Sequence, residues 1–551
     1  MLARLTSSAL VRAADQGPRN RRAAVRKKRL WDGSIDPSLR LDWPGLISPS
    51  PAPTSGSSPG GTAAVPLDTR WAILLVLSVT ALHVLYAGLV PLSPQEAYYW
   101  QYARHPALSY YDHPPLAAWT IWATTSLLGA SERAIRAAAA FHSLVFTLFF
   151  FLSGRRLFGP RAAFLAVATA LVTPLFTAAQ TIITPDGPLL ACWAAALYFT
   201  VRTLQSERGL WLLAAGLSVG AAGLSKYTGA FLVPIVFLTL LLDPRGRRLL
   251  LGPWPYVGLL IAGVLVTPVL IWNAHHGWIS FAFQFGLRSN RVASPHLRLV
   301  GSFIGLQAAA VSPVLFLLLW AAPVQALLRR DRLDLRLCAV FSLPVILVFL
   351  AFSPFTWVKG NWAAPAYPAA LLAATSLYLE GGRSYRRLSV VAFCVAALAT
   401  LYVHLAPLVN LPFPPSQDST AGWRELAARV DQERARIPGP SFVVGCFYKS
   451  ASELAYYLPG RPETYSGNAF GDTGLEYDYW GDPRRLSGQD AIVVIDQRDW
   501  KYCLRRAEYC SPLEPLEPLT VRRPLPRPWS WIPMSDVVTT FKLWRCHGYR
   551  E

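Results

Sequence analysis

The chain has 551 residues, of which 53% are hydrophobic and only 15% charged, and it carries a net charge of +20. That balance excludes an ordinary soluble protein and describes a membrane protein. The basic excess does not read as a nucleic-acid surface, because the arginines lie in short loops between apolar runs and not on one patch.

Residues 1–70 open basic (Arg19, Arg21, Arg22, Arg26, Lys27, Lys28, Arg29) and turn rich in Pro, Ser and Gly in "SPSPAPTSGSSPGG", the composition of a disordered cytoplasmic tail. The tail lacks the signal-peptide order of charge, then short apolar stretch, then cleavage site, so the run starting at Trp71 is expected to be a retained anchor. Between 71 and 408, apolar runs recur near 71–90, 133–153, 163–180, 186–201, 209–225, 227–242, 253–272, 301–328, 337–353, 363–380 and 388–408. Each is long enough to cross hydrocarbon with some tilt. The expected fold class is a polytopic α-helical membrane protein of about eleven to thirteen spans. The stretch 116–129 is short and flanked by polar sequence, as an interfacial helix would be.

The positive-inside rule orients these runs. Arg155, Arg156 and Arg161, then Arg202 and Arg208, then Arg245, Arg247 and Arg248, then Arg329, Arg330, Arg332 and Arg336, then Arg383, Arg386 and Arg387 fall in alternate loops, on the side of the basic tail. Only Arg133 and Arg136 break the pattern. The outer face then carries "SPQEAYYWQYARHPALSYYDHPPL", "TIITPDGPL", "SKYTG", "NAHHGWISFAFQFGLRSNRVASPHLR" and "TWVKGNWAAPAYP".

After 408 the composition turns soluble. "GWRELAARVDQERARI" and "SASELAYYL" read as helices and "SFVVGCF", "AIVVID" and "VVTTFKLW" as strands, which makes 409–551 a small α/β domain outside the membrane. Of seven cysteines, Cys192, Cys338 and Cys394 lie in apolar runs; among the rest only the C-x6-C of Cys503 and Cys510 hints at a disulfide, and no zinc spacing occurs.

The outer loops concentrate ionisable groups: Glu96, Arg104, His105, Asp112, His113 and Asp186, facing Lys226, Arg288, Arg291 and Lys359. Acids at a membrane boundary are costly to bury and usually face a cavity or a partner. Acids and cations together on one face fit an anionic substrate group held by Lys or Arg, with a carboxylate to take a proton. A phosphate is a natural anion for such a set. Tyr98, Tyr99, Trp100, Tyr110, Tyr111, Trp272, Trp278, Trp357 and Trp362 lie at interface depth, as an aromatic belt or as surfaces for a sugar or lipid. No P-loop, Rossmann glycine pattern, nucleophile elbow or metalloprotease helix is present. No cofactor is therefore expected, and a divalent metal stays open.

These motifs, "SPQEAYYWQYARHPALSYYDHPPLAAW", "TPDGPLL", "GLSKYTG", "WNAHHGWISFAFQ" and "KGNWAAPAYP" in that order, resemble the bacterial family 39 glycosyltransferases, relatives of the protein O-mannosyltransferases and the lipid A aminoarabinose transferase. The resemblance covers residues 90–370. It implies the GT-C fold and a polyprenyl-phosphate-sugar-dependent hexosyl or pentosyl transferase. Such an enzyme moves a sugar from its lipid carrier to a lipid, glycan or protein hydroxyl, with inversion, at the periplasmic face of a bacterial inner membrane. The family's first loop carries Asp-Glu with the Asp as base; here Gln95 and Glu96 stand there, and a glutamine cannot take the proton. Glu96 is the favoured base with Asp186 as second acid; the alternatives are Asp112 or Asp186 as base, or a different acceptor or an inactive enzyme. His113, Lys226, Arg288 and Lys359 are the expected phosphate ligands, and Asn361, Trp362, Tyr98 and Tyr99 the expected pocket walls. A transporter or flippase for a lipid-linked anion, or a non-catalytic scaffold, are the rival readings. The first predicts mid-span charges and internal repeats, and the sequence has neither.

Overall fold

The computed structural model describes residues 67–287, 294–409, 411, 418–499, 501–524, 531–532 and 535–551. The tail assigned to 1–70 falls almost wholly outside the described residues, and so does Arg288.

All eleven apolar runs are helical. Six helices are long and apolar enough to cross a membrane: Leu67–Tyr86, Glu132–Phe158, Asp186–Ser206, Trp254–His275, Leu333–Phe352 and Arg383–Val409. Three more runs are helix pairs, Pro160–Leu171 with Pro174–Thr181, Tyr227–Leu242 with Pro244–Leu250, and Leu297–Val311 with Pro313–Leu328, bent by 73°, 116° and 106°. A proline opens the second half of each, at the first helical position, where its missing N–H breaks no helix bond. The last two runs are short helices, Trp211–Ser225 and Tyr367–Glu380. Length and composition thus support six spans, or nine counting bent pairs, among the described residues, against the eleven to thirteen expected. The two runs that separate nine from eleven are the short helices, 15 and 14 residues long.

Helix Asp186–Ser206 is central, with 78% of its apolar window buried, whereas Leu67–Tyr86 and Arg383–Val409 each bury only 11%. These two present Leu74, Leu77, Leu82, Leu398 and Val403 outward, the surface of helices solvated by lipid and not by water. Trp211–Ser225 lies in backbone contact with Trp254–His275, since a Cβ on Gly216 would sit 2.1 Å from the Gly258 carbonyl oxygen. Small residues allow that approach, which fixes the position of Lys226 at the end of the first of these helices.

The C-terminal part is a four-stranded sheet of β1 (Ser441–Gly445), β2 (Asp490–Asp496), β3 (Leu513–Arg522) and β4 (Val537–Cys546) in the order β1-β2-β4-β3. β1 and β2 are parallel, with Val443 opposite Ile492, and β4 runs antiparallel to both β2 and β3. Helix Trp423–Ala435 packs on one face through Trp423, Leu426 and Val430. β3 is an edge strand that the sequence reading missed. Its Pro515 and Pro518 argue against a strand, but proline is tolerated at an edge, and the register shifts between Leu516 and Leu519.

The disulfide hint is corrected. Cys503 pairs with Cys446 and Cys510 with Cys546, not with each other. The sheet brings the residue after β1 to the turn after β2, and Leu513 at the start of β3 lies opposite Cys546 at the end of β4. Cys192, Cys338 and Cys394 are unpaired.

Helix Tyr448–Tyr457 seats this domain on helix Pro94–Arg104. Tyr98, Trp100, Tyr102, Ala103 and Tyr110 share one buried cluster with Ala451, Ala455, Tyr456 and Tyr477.

Candidate active site

Helix Pro94–Arg104 opens with a capping box. Ser93 donates its N–H and hydroxyl to Glu96 Oε2 at 3.0 and 3.1 Å, which holds the chain entry as such boxes do. Glu96 is fully buried and takes a fork from Arg136, Nε to Oε1 and a terminal nitrogen to Oε2, both at 2.8 Å. Arg136 also donates to the carbonyls of Ala87, Val90 and Pro91 at 2.7, 2.7 and 2.9 Å. Both oxygens of the favoured base are therefore committed to an ion pair and a cap. The same pair explains Arg136, one of the two basic residues that broke the charge pattern. Arg136 is neutralised by Glu96, and Arg133 lies over Gly88, where a Cβ would come within 2.2 Å of its Nε.

Gln95, which stands in place of the family's acid, joins the two parts of the chain. Its Oε1 accepts the Tyr448 hydroxyl at 3.1 Å, and its Nε2 donates to Tyr99 at 3.4 Å. Tyr98, expected at a substrate surface, is instead fully buried among protein rings, with Tyr102, Tyr448 and Trp480 at centroid distances of 4.7, 4.4 and 6.3 Å. Tyr99 is also buried and meets the His113 ring edge-on at 5.7 Å.

Asp112 and His113 are both buried, with His113 Nε2 at 3.7 Å from Asp112 Oδ2. Tyr102 donates its hydroxyl to Asp112 Oδ1, and Gln284 donates to the Asp112 carbonyl. Asp186 is the first residue of its helix, where the backbone dipole favours a negative charge. Its Oδ1 accepts Lys226 Nζ at 2.7 Å and its Oδ2 the Asn361 amide at 2.6 Å. Ser280 donates to the Tyr110 carbonyl at 3.0 Å, and the ring of Tyr227, next to Lys226, lies 5.3 Å from Phe281. The 279–287 segment thus touches both the Asp112 loop and the Lys226 turn. Lys359 is exposed, two residues before Asn361, and Trp362 packs against Phe349.

Two acids missed in the sequence come from the outer domain. Glu476 is buried, and its Oε2 accepts the Tyr111 N–H. Burial, with Asp112 and Asp478 nearby, pushes its carboxyl up to about 8. Glu453 is fully buried with neither oxygen hydrogen-bonded among the described residues, and burial holds its carboxyl well above the usual range. "GLEYDYW" and "SASELAYYL" carry no spacing that marks either acid, because their burial comes from docking onto the first loop.

Residues 112–272 match the family described as dolichyl-phosphate-mannose-protein mannosyltransferase. The lipid A galacturonosyltransferase RgtD of Rhizobium johnstonii is 28% identical over 427 residues, 75% of this chain and 88% of the relative. The lipopolysaccharide core galacturonosyltransferase RgtA of the same organism is 25% identical over 73% of this chain and 83% of its own. The crystal structure of ArnT from Cupriavidus metallidurans in the apo state superposes with a TM-score of 0.59 at 18% identity, covering 87% of this chain and 98% of that one. ArnT bound to undecaprenyl phosphate gives a TM-score of 0.56 at the same identity, over 86% and 98%. The fold is thus the GT-C fold of the ArnT structures, the described helices are those of a multi-pass membrane protein, and the sequence is similar to those of bacterial glycosyltransferases.

Proposed function

We propose that the protein transfers a uronic acid sugar from a polyprenyl-phosphate carrier to a hydroxyl of a lipid A-type acceptor, with inversion, at the periplasmic face of a bacterial inner membrane. The observation that carries the reading is the buried Asp186, held between Lys226 and Asn361 and joined through the 279–287 segment to Asp112 and His113. This is a cation-and-carboxylate set suited to a phosphate leaving group and a hydroxyl nucleophile. The relatives named as galacturonosyltransferases support the sugar and the acceptor, and the undecaprenyl phosphate complex of ArnT supports the carrier. The loop charges and the two outer-domain disulfides, which persist in oxidising compartments, support the periplasmic side.

In this mechanism Asp112 is the base: it sits beside His113 in the first loop and against the 279–287 segment, while Glu96 is held by the Arg136 fork and the Ser93 cap. The acceptor oxygen forms its bond to the anomeric carbon as the bond to the carrier phosphate breaks. The hydroxyl proton passes to Asp112, and the polyprenyl phosphate leaves against Lys226 and His113. A single displacement inverts the centre; a covalent intermediate would need a second carboxylate placed as nucleophile. The test is release of polyprenyl phosphate from polyprenyl-phosphate galacturonic acid by purified protein with lipid A. Asp112→Asn lowers turnover by about 10²–10⁴-fold, the range for loss of a general base, and Lys226→Met raises the KM for the donor. Full turnover by Asp112→Asn would remove it as base, and absence of release by the wild type would overturn the activity.

A further inference from the structure

The turn around 474–480 of the outer domain inserts an acid beside the first loop that the reaction above leaves unused. The Glu476 side chain accepts the N–H of Tyr111, the residue before Asp112. The Glu476 backbone N–H donates to the Tyr98 hydroxyl at 3.3 Å. Tyr98 packs edge-on against Tyr102 at 4.7 Å, and Tyr102 donates to Asp112 Oδ1. One residue therefore reaches Asp112 from two directions: through the peptide that leads into it, and through Tyr98 packed on Tyr102, whose hydroxyl donates to its carboxylate.

The rest of the turn is built to keep Glu476 still. Asp478 Oδ1 accepts the Gly474 N–H at 2.8 Å. Tyr477 donates its hydroxyl toward Ser452 and accepts the Gln101 amide, at 3.0 and 3.2 Å. Tyr479 lies edge-on to His276 at 5.2 Å and to Trp272 at 5.9 Å, which reaches the helix that ends at the 279–287 segment. A buried acid on the main-chain N–H beside a reacting carboxylate, clamped on both flanks, is the arrangement by which supporting groups hold a site to its working geometry.

The geometry points to Glu476 as a positioning residue for the transfer: its carboxyl fixes the Tyr111 amide and, through that peptide, the direction in which Asp112 presents its own carboxylate. This rests on the reading of Asp112 as the base. The outer domain is then part of the active site and not only a cover over it.

The experiment uses the full chain in detergent with polyprenyl-phosphate galacturonic acid and lipid A, reading carrier release for Glu476→Met, Glu476→Gln and Asp112→Asn beside the wild type. Glu476→Met keeps the bulk and removes the acceptor; Glu476→Gln keeps both. The expected result is a fall in kcat of about 100-fold for Glu476→Met, the scale of a 1 Å misplacement, with donor KM within about twofold and Glu476→Gln restoring kcat to within about threefold. Should Glu476→Met unfold, Glu476→Ala and Glu476→Gln carry the same comparison. Wild-type kcat in Glu476→Met, or a loss that Glu476→Gln shares in full, overturns the positioning role while an inactive Asp112→Asn leaves the base in place. Full activity in Asp112→Asn overturns both.

Discussion

Replacing Glu96 by glutamine separates an anchoring carboxylate from a catalytic one. The Glu96 and Arg136 side chains are 0% and 4% exposed. Removing one partner of such a buried pair costs about 3–5 kcal/mol, because the other charge stays in the protein interior without its counterion. Glu96→Gln belongs at the lower end, about 3 kcal/mol, since the amide still accepts from Ser93 and Arg136 keeps its three carbonyls. Arg136→Met belongs at the upper end or beyond. It strands a buried carboxylate and removes the donor from three carbonyls, each hydrogen bond contributing about 1 kcal/mol. Thermal unfolding of the purified protein in detergent should rank wild type above Glu96→Gln and Glu96→Gln above Arg136→Met. The double variant should lose less than the sum, because the two residues form one interaction. Transfer per folded molecule should stay close to wild type in Glu96→Gln. If Glu96→Gln unfolds at the wild-type temperature and yet transfers at least 100-fold more slowly, an anchoring role is wrong and Glu96 is the base.

The disulfides and a buried acid give two more tests. The Cys446–Cys503 and Cys510–Cys546 links close 57 and 36 residues of sequence, each about 4 kcal/mol in the chain-entropy account. Reductant should lower the unfolding midpoint of the outer domain, and Cys192→Ser should not; a midpoint indifferent to reductant would exclude the pairing. The folded carboxyl of Glu453 lies above its ordinary value of 4.5. It is therefore neutral where the unfolded chain is ionised, and it loses stability as pH rises from about 4.5 toward its raised value. Glu453→Gln should raise the unfolding midpoint at pH 7 and leave it unchanged at pH 4, and an equal effect at both would show that titration is not the cause.

Much of the fold was legible because hydropathy and helix length report directly on the lipid solvent. The runs, the loop charges and five of the outer-domain elements could be read residue by residue. What could not be read depends on which segments meet. Proline breaks at 174 and 313 look like continuous apolar sequence. Arg136 looks like a topological charge until Glu96 is seen opposite it. Tyr98 looks like a sugar platform until Tyr448 and Trp480 close over it. For the candidate site, the motifs brought out Asp112, His113, Asp186, Lys226 and Asn361, residues whose loops the fold connects. They gave no sign of Glu476, whose burial depends on contacts 365 residues away in sequence.

The joint between helix Pro94–Arg104 and the outer domain also bears on how such enzymes diverge. Gln95 hydrogen-bonds Tyr448, Tyr98 is enclosed by rings from both parts, and Tyr111 is held by Glu476. The first loop and the outer domain must therefore change together. An outer domain exchanged between relatives would arrive with cavities and unpaired groups unless residues 91–115 travelled with it. The two form one packed joint although about 300 residues of membrane helices separate them in the chain.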